Sequence, residues 1–190
     1  SVNYIMHKFS EIYYFIEAFN KQEIEKLNKN ISLIYRNYKK KYNFNDIENL
    51  KKLCTNQKRK FYIANDIKLA LRLGLDGLYI PSFNKLCNFK NLNSKKDFKI
   101  IGSAHNVIEL KNKENQGCKE IAIAPIFNTK KNDYFLDVIK FNLIAKNTKH
   151  IIALGGINET NISRVKLTRS KAIACISWIK KNGPSKLGPF

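Results

Sequence analysis

Two consecutive glycines, Gly155-Gly156, follow the apolar run Ile151-Ile152-Ala153-Leu154 and precede Asn158. Without side chains in the way, their amides can approach an anion closely, and an asparagine just beyond them suits the opening of a helix. A tight turn would also need glycine for its dihedrals, so the pair admits a phosphate seat or a plain turn. Ile176-Ser177, after the apolar Ala172 to Cys175, offers a second set of donors. His105 follows another apolar run, where an imidazole can move protons near neutral pH or simply be a hydrogen-bonded structural group. Asp66 is a carboxylate that can act as base or metal ligand, but its place just before Ile67 favours the cap of a helix. Arg36, in Tyr35-Arg36-Asn37-Tyr38-Lys39-Lys40-Lys41, can track an anion or belong to a solvated loop. Asn65, Ser103, Pro125 and Thr129 complete the set of polar or turn-forming residues that directly follow or end apolar runs.

The elements that must position these residues alternate. Short apolar runs are separated by longer amphipathic stretches, the pattern of strand-helix units around a parallel sheet. Strands are expected at 12–16, 32–35, 60–64, 77–80, 99–104, 120–124, 150–154 and 172–176. Helices are expected at 21–27, 44–53, 67–73, 107–116, 135–145 and 158–167, with a last short one reaching Trp178. Gly74 and Gly117 read as helix stops, and Asn158 as a cap. The segment 82–97 is polar and poorly periodic, and Asp76 before the fourth strand reads as structural. Eight repeats in 190 residues average about 24 each, which suits a compact single-domain (β/α)8 TIM barrel, an α/β fold. An open doubly wound sheet is the alternative, but no GxGxxG follows the first strand. In a barrel, the residues singled out above all fall at the C-terminal ends of strands, where barrel chemistry is done. Residues 1–10 read as a leading segment, 11–182 as the barrel, and 183–190, with two Gly-Pro pairs, as an irregular tail.

An apolar fraction of 44% is enough to build a core and excludes a disordered chain. No apolar stretch approaches the roughly 20 residues of a membrane helix, and 1–19 lacks a cleavable leader pattern, so a cytoplasmic protein without membrane contact is expected. Cys54, Cys87, Cys118 and Cys175 stand singly, which suits reduced structural thiols better than zinc or a disulfide framework. A net charge of +20 raises nucleic acid as a partner. The excess is mostly lysine spread over expected helix surfaces, whereas specific readers favour arginine, so nucleic acid is not the expected partner.

Gly102-Ser103-Ala104-His105-Asn106, Ala124-Pro125-Ile126-Phe127-Asn128-Thr129 and Ala153-Leu154-Gly155-Gly156-Ile157-Asn158 resemble successive signatures of the thiamine phosphate synthase and thiazole tautomerase family. Phe61 to Leu71 followed by Leu75-Asp76-Gly77-Leu78-Tyr79-Ile80 resembles its third and fourth strands. The resemblance covers roughly residues 10 to 180 and implies the barrel over the open sheet. It implies a small phosphorylated thiazole ligand whose phosphate rests on Gly155, Gly156, Ile176 and Ser177, with Thr129 near the thiazole ring. Ser103 and Arg36 match the residues that in the synthase face the diphosphate of the pyrimidine substrate. The other half departs from the family. Of its Gln-x-Arg-x-Lys, only Arg36 is kept in Ile34-Tyr35-Arg36-Asn37-Tyr38. Its metal-binding aspartate after strand three falls on Asn65, beside Asp66, and the second one, after strand four, falls near Asn84. Lys130 or Lys131 takes the place of its lysine in a shortened loop. Magnesium prefers anionic oxygens, so exchanging two carboxylates for amides undermines its site, and no metal ligand is assigned. The leading reading is tautomerase-like, with His105 as proton shuttle and no cofactor required. The alternatives are a diverged synthase, with Mg as its cofactor in the family, and a non-catalytic binder of a phosphorylated ligand or of nucleic acid. Relatives of this kind often self-associate, which leaves a homo-oligomer open.

Overall fold

The computed structural model describes residues 8–38, 42–85, 89–95, 97–129 and 133–176. The strands are β1 (Glu11–Ile16), β2 (Ile31–Tyr35), β3 (Phe61–Ala64), β4 (Gly77–Ile80), β5 (Lys99–Ala104), β6 (Glu120–Ile123), β7 (Ile151–Leu154) and β8 (Ala172–Cys175). They pair in chain order, all parallel, and β8 returns to β1 through Ile12↔Ile173 and Tyr13↔Ala174, so the sheet is a closed barrel. Closure leaves no unpaired edge, and both faces of every strand are covered; this is why the strands are nearly uninterrupted apolar runs. Around the barrel stand α1 (Lys21–Glu25), α2 (Phe44–Asn56), α3 (Ile67–Arg72), α4 (Val107–Gln116), α5 (Asp137–Ile144) and α6 (Ile162–Val165). A 3-10 turn, Lys90–Ser94, takes the place of a full helix between β4 and β5, as the weak periodicity of 82–97 foreshadows.

Side chains of alternate strand residues fill the interior in layers. The lowest layer is polar: the Lys99 Nζ ammonium donates to Glu11 Oε2 at 2.5 Å and Glu120 Oε1 at 2.8 Å, and the Tyr13 hydroxyl donates to Glu120 Oε2 at 2.6 Å. Above it the interior is filled chiefly by Tyr13, Phe15, Ile34, Tyr62, Ala64, Tyr79, Ile101, Ala122, Ile152, Leu154 and Ala174, while Ala172 pairs with Glu11 at the level of the polar layer. Tyr13 meets Tyr62 edge-on at 5.8 Å, and Phe15 meets Tyr79 edge-on at 5.1 Å. The rings therefore come from β1, β3 and β4, whereas β6 and β8 contribute alanines. The opposite faces of the strands pack under the helices, with Leu33, Ile63, Ile100, Ile123 and Ile173 all fully buried.

The turns that carry the site are fixed by side-chain caps. The side-chain oxygens of Asn20, Asn43, Asp66 and Asn106 accept from the first-turn amides of α1, α2, α3 and α4. Each such cap contributes about 1 kcal/mol and fixes where the chain leaves its strand. The expected cap role of Asp66 is borne out, with Leu69 N–H donating to Oδ1 at 2.9 Å. Asp76 is structural as expected, accepting from Phe61 N–H at 2.8 Å.

Several expectations need correction. The expected helix at 135–145 begins only at Asp137, because Leu136 and Asp137 donate their amides to Pro125 O and Ile126 O of the β6 loop. The expected helix at 158–167 shrinks to the single turn of α6, and Asn158 does not cap it. Instead Asn158 Oδ1 accepts from Thr160 N and Oγ1, closing a local turn ahead of the helix. The helix at 44–53 continues to Asn56, and other element ends move by one or two residues. Cys54, Cys118 and Cys175 are free, and burial pushes each thiol up to about 12, as suits inert core sulfur. Cys87, the last helix through Trp178, residues 1–7 of the leading segment and the whole tail lie outside the described residues.

Candidate active site at the barrel mouth

The C-terminal rim gathers the residues the sequence singles out, in three groups. The first is the turn after β7. Gly155 and Gly156 have φ of +94° and +71°, a left-handed conformation that β-carbons disfavour. They are also tightly approached: a Cβ on Gly156 would lie 2.4 Å from Asn128 O and 2.5 Å from Phe127 O. The turn is pinned to the β6 loop, with Ile126 N–H donating to Leu154 O and Phe127 N–H to Gly155 O. Asn161 Nδ2 donates to Gly156 O at 2.8 Å from the far side. Among the described residues, the amides of Gly155 and Gly156 donate to no other backbone or side-chain group. The pair is thus a turn that requires glycine and, in the same stroke, a bare main-chain donor edge. Thr129 lies on the β6 loop and is partly exposed, and Ile176 is exposed directly after β8. Ser177, Lys130 and Lys131 lie outside the described residues.

The second group follows β5. His105 is half exposed, and its Nδ1 lies 2.9 Å from Glu109 Oε2, which also accepts from the His105 backbone N–H at 2.8 Å. Burial raises the Glu109 carboxyl's pKa, but the two bonds from His105 outweigh it and hold the group below the ordinary glutamate value. An ionised carboxylate only accepts, so Nδ1 carries the proton and Nε2 of a neutral ring is the basic nitrogen. Glu109 escaped the reading of the sequence. The spacing Asn106-x-x-Glu109, a capping asparagine with glutamate at the third helical position, is a capping-box signal that points to it.

The third group spans β2 to β5. The Arg36 guanidinium lies over the Phe15 ring, 4.2 Å from its centroid, with Tyr38 at 5.9 Å. The Tyr79 side chain is buried beneath, its ring edge-on to Phe15 at 5.1 Å, with Ser103 and Arg36 in its neighbourhood. Burial raises the Tyr79 pKa despite those two neighbours, so the phenol stays protonated and able to donate. The structure therefore stacks Arg36, Phe15 and Tyr79, the last a tyrosine that the sequence reading treated only as a strand residue. Strand alternation was the signal available: Tyr79 points inward from β4. Beside this group, Asn84 Nδ2 donates to Asn65 Oδ1 at 2.5 Å, and Asn65 has a φ of +61°. Among the described residues no group of three or more His, Cys, Asp or Glu side chains converges to hold a metal. Asp66 is nearby in sequence, but its Oδ1 accepts from the Leu69 amide. Two neutral amides bonded to each other are a poor match for the magnesium that the resemblance associates with these positions.

A closed (β/α)8 barrel with these groups on its C-terminal rim belongs to the class of barrels that carry their ligand sites on the βα loops. A family model described as thiamine monophosphate synthase matches residues 21–179, and the chain belongs to that family. A thiamine-phosphate synthase of Pelagibacter ubique is 30% identical over 164 residues, 81% of this chain and 77% of its own length. One from a strain of Prochlorococcus marinus is 31% identical over 144 residues, covering 70% of this chain but only 40% of its own length. Among solved structures, thiamine phosphate pyrophosphorylase from Pyrococcus furiosus superposes with a TM-score of 0.68 over 98% of this chain and 96% of its own, at 15% identity. The N-(5'-phosphoribosyl)anthranilate isomerase of the same organism gives 0.63 at 12% identity over 93% and 94%. At such identities the two structures speak for the fold alone. No helix among the described residues is long and apolar enough to cross a membrane.

Proposed function

We propose that this chain serves thiamine biosynthesis by holding a thiazole phosphate at the loops after β7 and β8 and isomerising it in the manner of the thiazole tautomerase. The observation that carries the reading is the left-handed Gly155-Gly156 turn, whose amides are uncommitted among the described residues. A dianionic ester suits such a donor edge, and Thr129, Ile176 and Ser177 are the neighbours expected to border it. His105 supplies the acid-base chemistry. Glu109 orients the ring through Nδ1, so Nε2 takes a proton from one carbon of the thiazole and returns it at another. No cofactor takes part in this step, and a cytoplasmic setting goes with it. In deuterated buffer without magnesium, the protein is expected to bind thiazole phosphate and exchange its acidic proton. His105→Ala is expected to lower exchange about 100-fold while binding persists. Exchange unaffected by the substitution removes His105 from the reaction, and a failure to bind thiazole phosphate removes the whole reading.

A second reading is favoured by Arg36, whose guanidinium lies over Phe15 at the mouth, and by the likeness to proteins named thiamine-phosphate synthase. It is a diverged synthase joining hydroxymethylpyrimidine diphosphate to thiazole phosphate. Thiamine phosphate formed from the two substrates supports it; no product with or without magnesium ends it.

A further inference from the structure

The segment after β4 is fastened to its surroundings from three sides. Asn84 Nδ2 donates to Asn65 Oδ1 at the end of β3. The carbonyl of Asn84 accepts from Lys113 Nζ at 2.6 Å and from Gln116 Nε2 at 3.1 Å, both on α4. Lys113 is itself almost fully buried, and its ammonium also donates to Gln116 Oε1 at 2.8 Å. One residue earlier, the Phe83 ring packs edge-on against Tyr38 of the β2 loop, with centroids 5.3 Å apart. A divalent ion entering between Asn65 and Asn84 would have to break their bond and turn an NH2 group away. In return it would gain two neutral oxygens, where a hard cation seeks carboxylates. Among the described residues Arg36 supplies a fixed positive charge on this side of the mouth, its guanidinium over the Phe15 ring. A guanidinium so placed is preorganised, losing little freedom when it binds a phosphoryl group, and its fork suits bidentate contact.

We propose that the β2–β5 side of the mouth binds an anionic group of its ligand without a divalent cation, with Arg36 as the fixed charge. In this arrangement the Asn65–Asn84 pair is a clasp that holds the β4 segment in place and not a metal site. Tyr79 supports this arrangement from below, edge-on to the Phe15 ring over which Arg36 lies. The inference is separate from the phosphate seat at Gly155-Gly156 and from His105.

The test uses inorganic pyrophosphate as the probe, in isothermal titration of the full chain with EDTA present, and the electron paramagnetic resonance of free Mn2+. The wild-type protein is expected to bind pyrophosphate in EDTA and to leave the Mn2+ signal undiminished when no pyrophosphate is present. Arg36→Gln is expected to weaken pyrophosphate at least tenfold, since a bidentate contact from a fixed charge is lost. The double variant Asn65→Asp, Asn84→Asp is close in shape, and aspartate tolerates the left-handed backbone at position 65. It is expected to invert the behaviour, depleting the Mn2+ signal and binding pyrophosphate only when Mg2+ is added. The wild-type measurements stand even if that variant does not fold. Pyrophosphate binding by the wild type only with Mg2+, depletion of the Mn2+ signal by the wild type, no pyrophosphate binding at all, or Arg36→Gln binding as tightly as wild type would each overturn the proposal. None of these outcomes depends on thiazole phosphate, so failure here is distinguishable from failure of the tautomerase reading.

Discussion

Gly156 carries two demands that a mutation can separate. Its backbone is left-handed, and carbonyls crowd the place where a β-carbon would stand. Gly74 shares the first demand, at φ +58°, but has nothing within 4 Å of an added Cβ. Gly74→Ala is therefore expected to lower unfolding free energy by about 1 kcal/mol, from strain alone. Gly156→Ala is expected to lose about 3 kcal/mol, because overpacking adds to strain. Urea unfolding of both variants checks the difference; equal losses would mean that the β6 loop yields freely. At this scale the sequence was readable where a residue type has few uses, as with paired glycines or an aspartate before a helix. It was silent on Glu109 and Tyr79, because a glutamate in a first turn and a tyrosine in a strand are ordinary until a distant partner gives them a second role.

Among the elements, α1 is short and its C-terminal carbonyls would be exposed to a dry interface were it not for Arg59. This arginine is buried, and its guanidinium donates to Asn28 O at 2.7 Å, Ile31 O at 2.6 Å, Leu27 O at 3.0 Å and Ile24 O at 3.5 Å. Desolvation pulls its pKa below the ordinary arginine value, and these acceptors compensate with dipoles instead of a carboxylate. Arg59→Met is expected to destabilise the protein by about 3 kcal/mol, with Arg59→Lys in between, since one ammonium cannot span four carbonyls. Amide hydrogen exchange should quicken first at residues 24–33; uniform quickening across the barrel would contradict a local clamp. The strands were readable from their apolar runs, because burial on both faces leaves little room for anything else. Helix extents after β6 and β7 were not. There the amides of Leu136 and Asp137 are drawn off to the β6 loop and the Asn161 side chain donates to Gly156 O, and periodicity carries no trace of that competition.

For the whole molecule, the polar layer at the N-terminal end sets the pH range over which the barrel is most stable. Burial raises the pKa of the Glu11 carboxyl, but its bonds to Lys99 and Ser32 more than reverse this, leaving it below the usual value of 4.5. Its contribution is therefore complete above that value and is lost as pH falls through the lower, folded one. Lys99 is the mirror case: burial lowers its pKa, but Glu11 and Glu120 outweigh this and raise it above 10.5. Its contribution is complete below 10.5 and is lost as pH rises through the folded value. Stability measured against pH is thus expected to hold a plateau between about 5 and 10 from this layer. Lys99→Met, which strands two partly buried carboxylates, is expected to cost about 2 kcal/mol on the plateau and to cost less at acid pH. A constant deficit at every pH would rule out the ionic account.

The unequal walls of the barrel also limit how this protein can change. Rings from one arc reach across toward alanines on the other, so volume is shared between strands far apart in the chain. A bulkier residue at Ala122 or Ala174 could be accepted only alongside a smaller one at Tyr13, Tyr62 or Tyr79. Variation at these positions should therefore arise as compensating pairs across the lumen, and one of the candidates, Tyr79, packs edge-on against Phe15, over whose ring Arg36 lies. Drift in the packing of the interior should therefore shift the seat of Arg36 at the mouth as well.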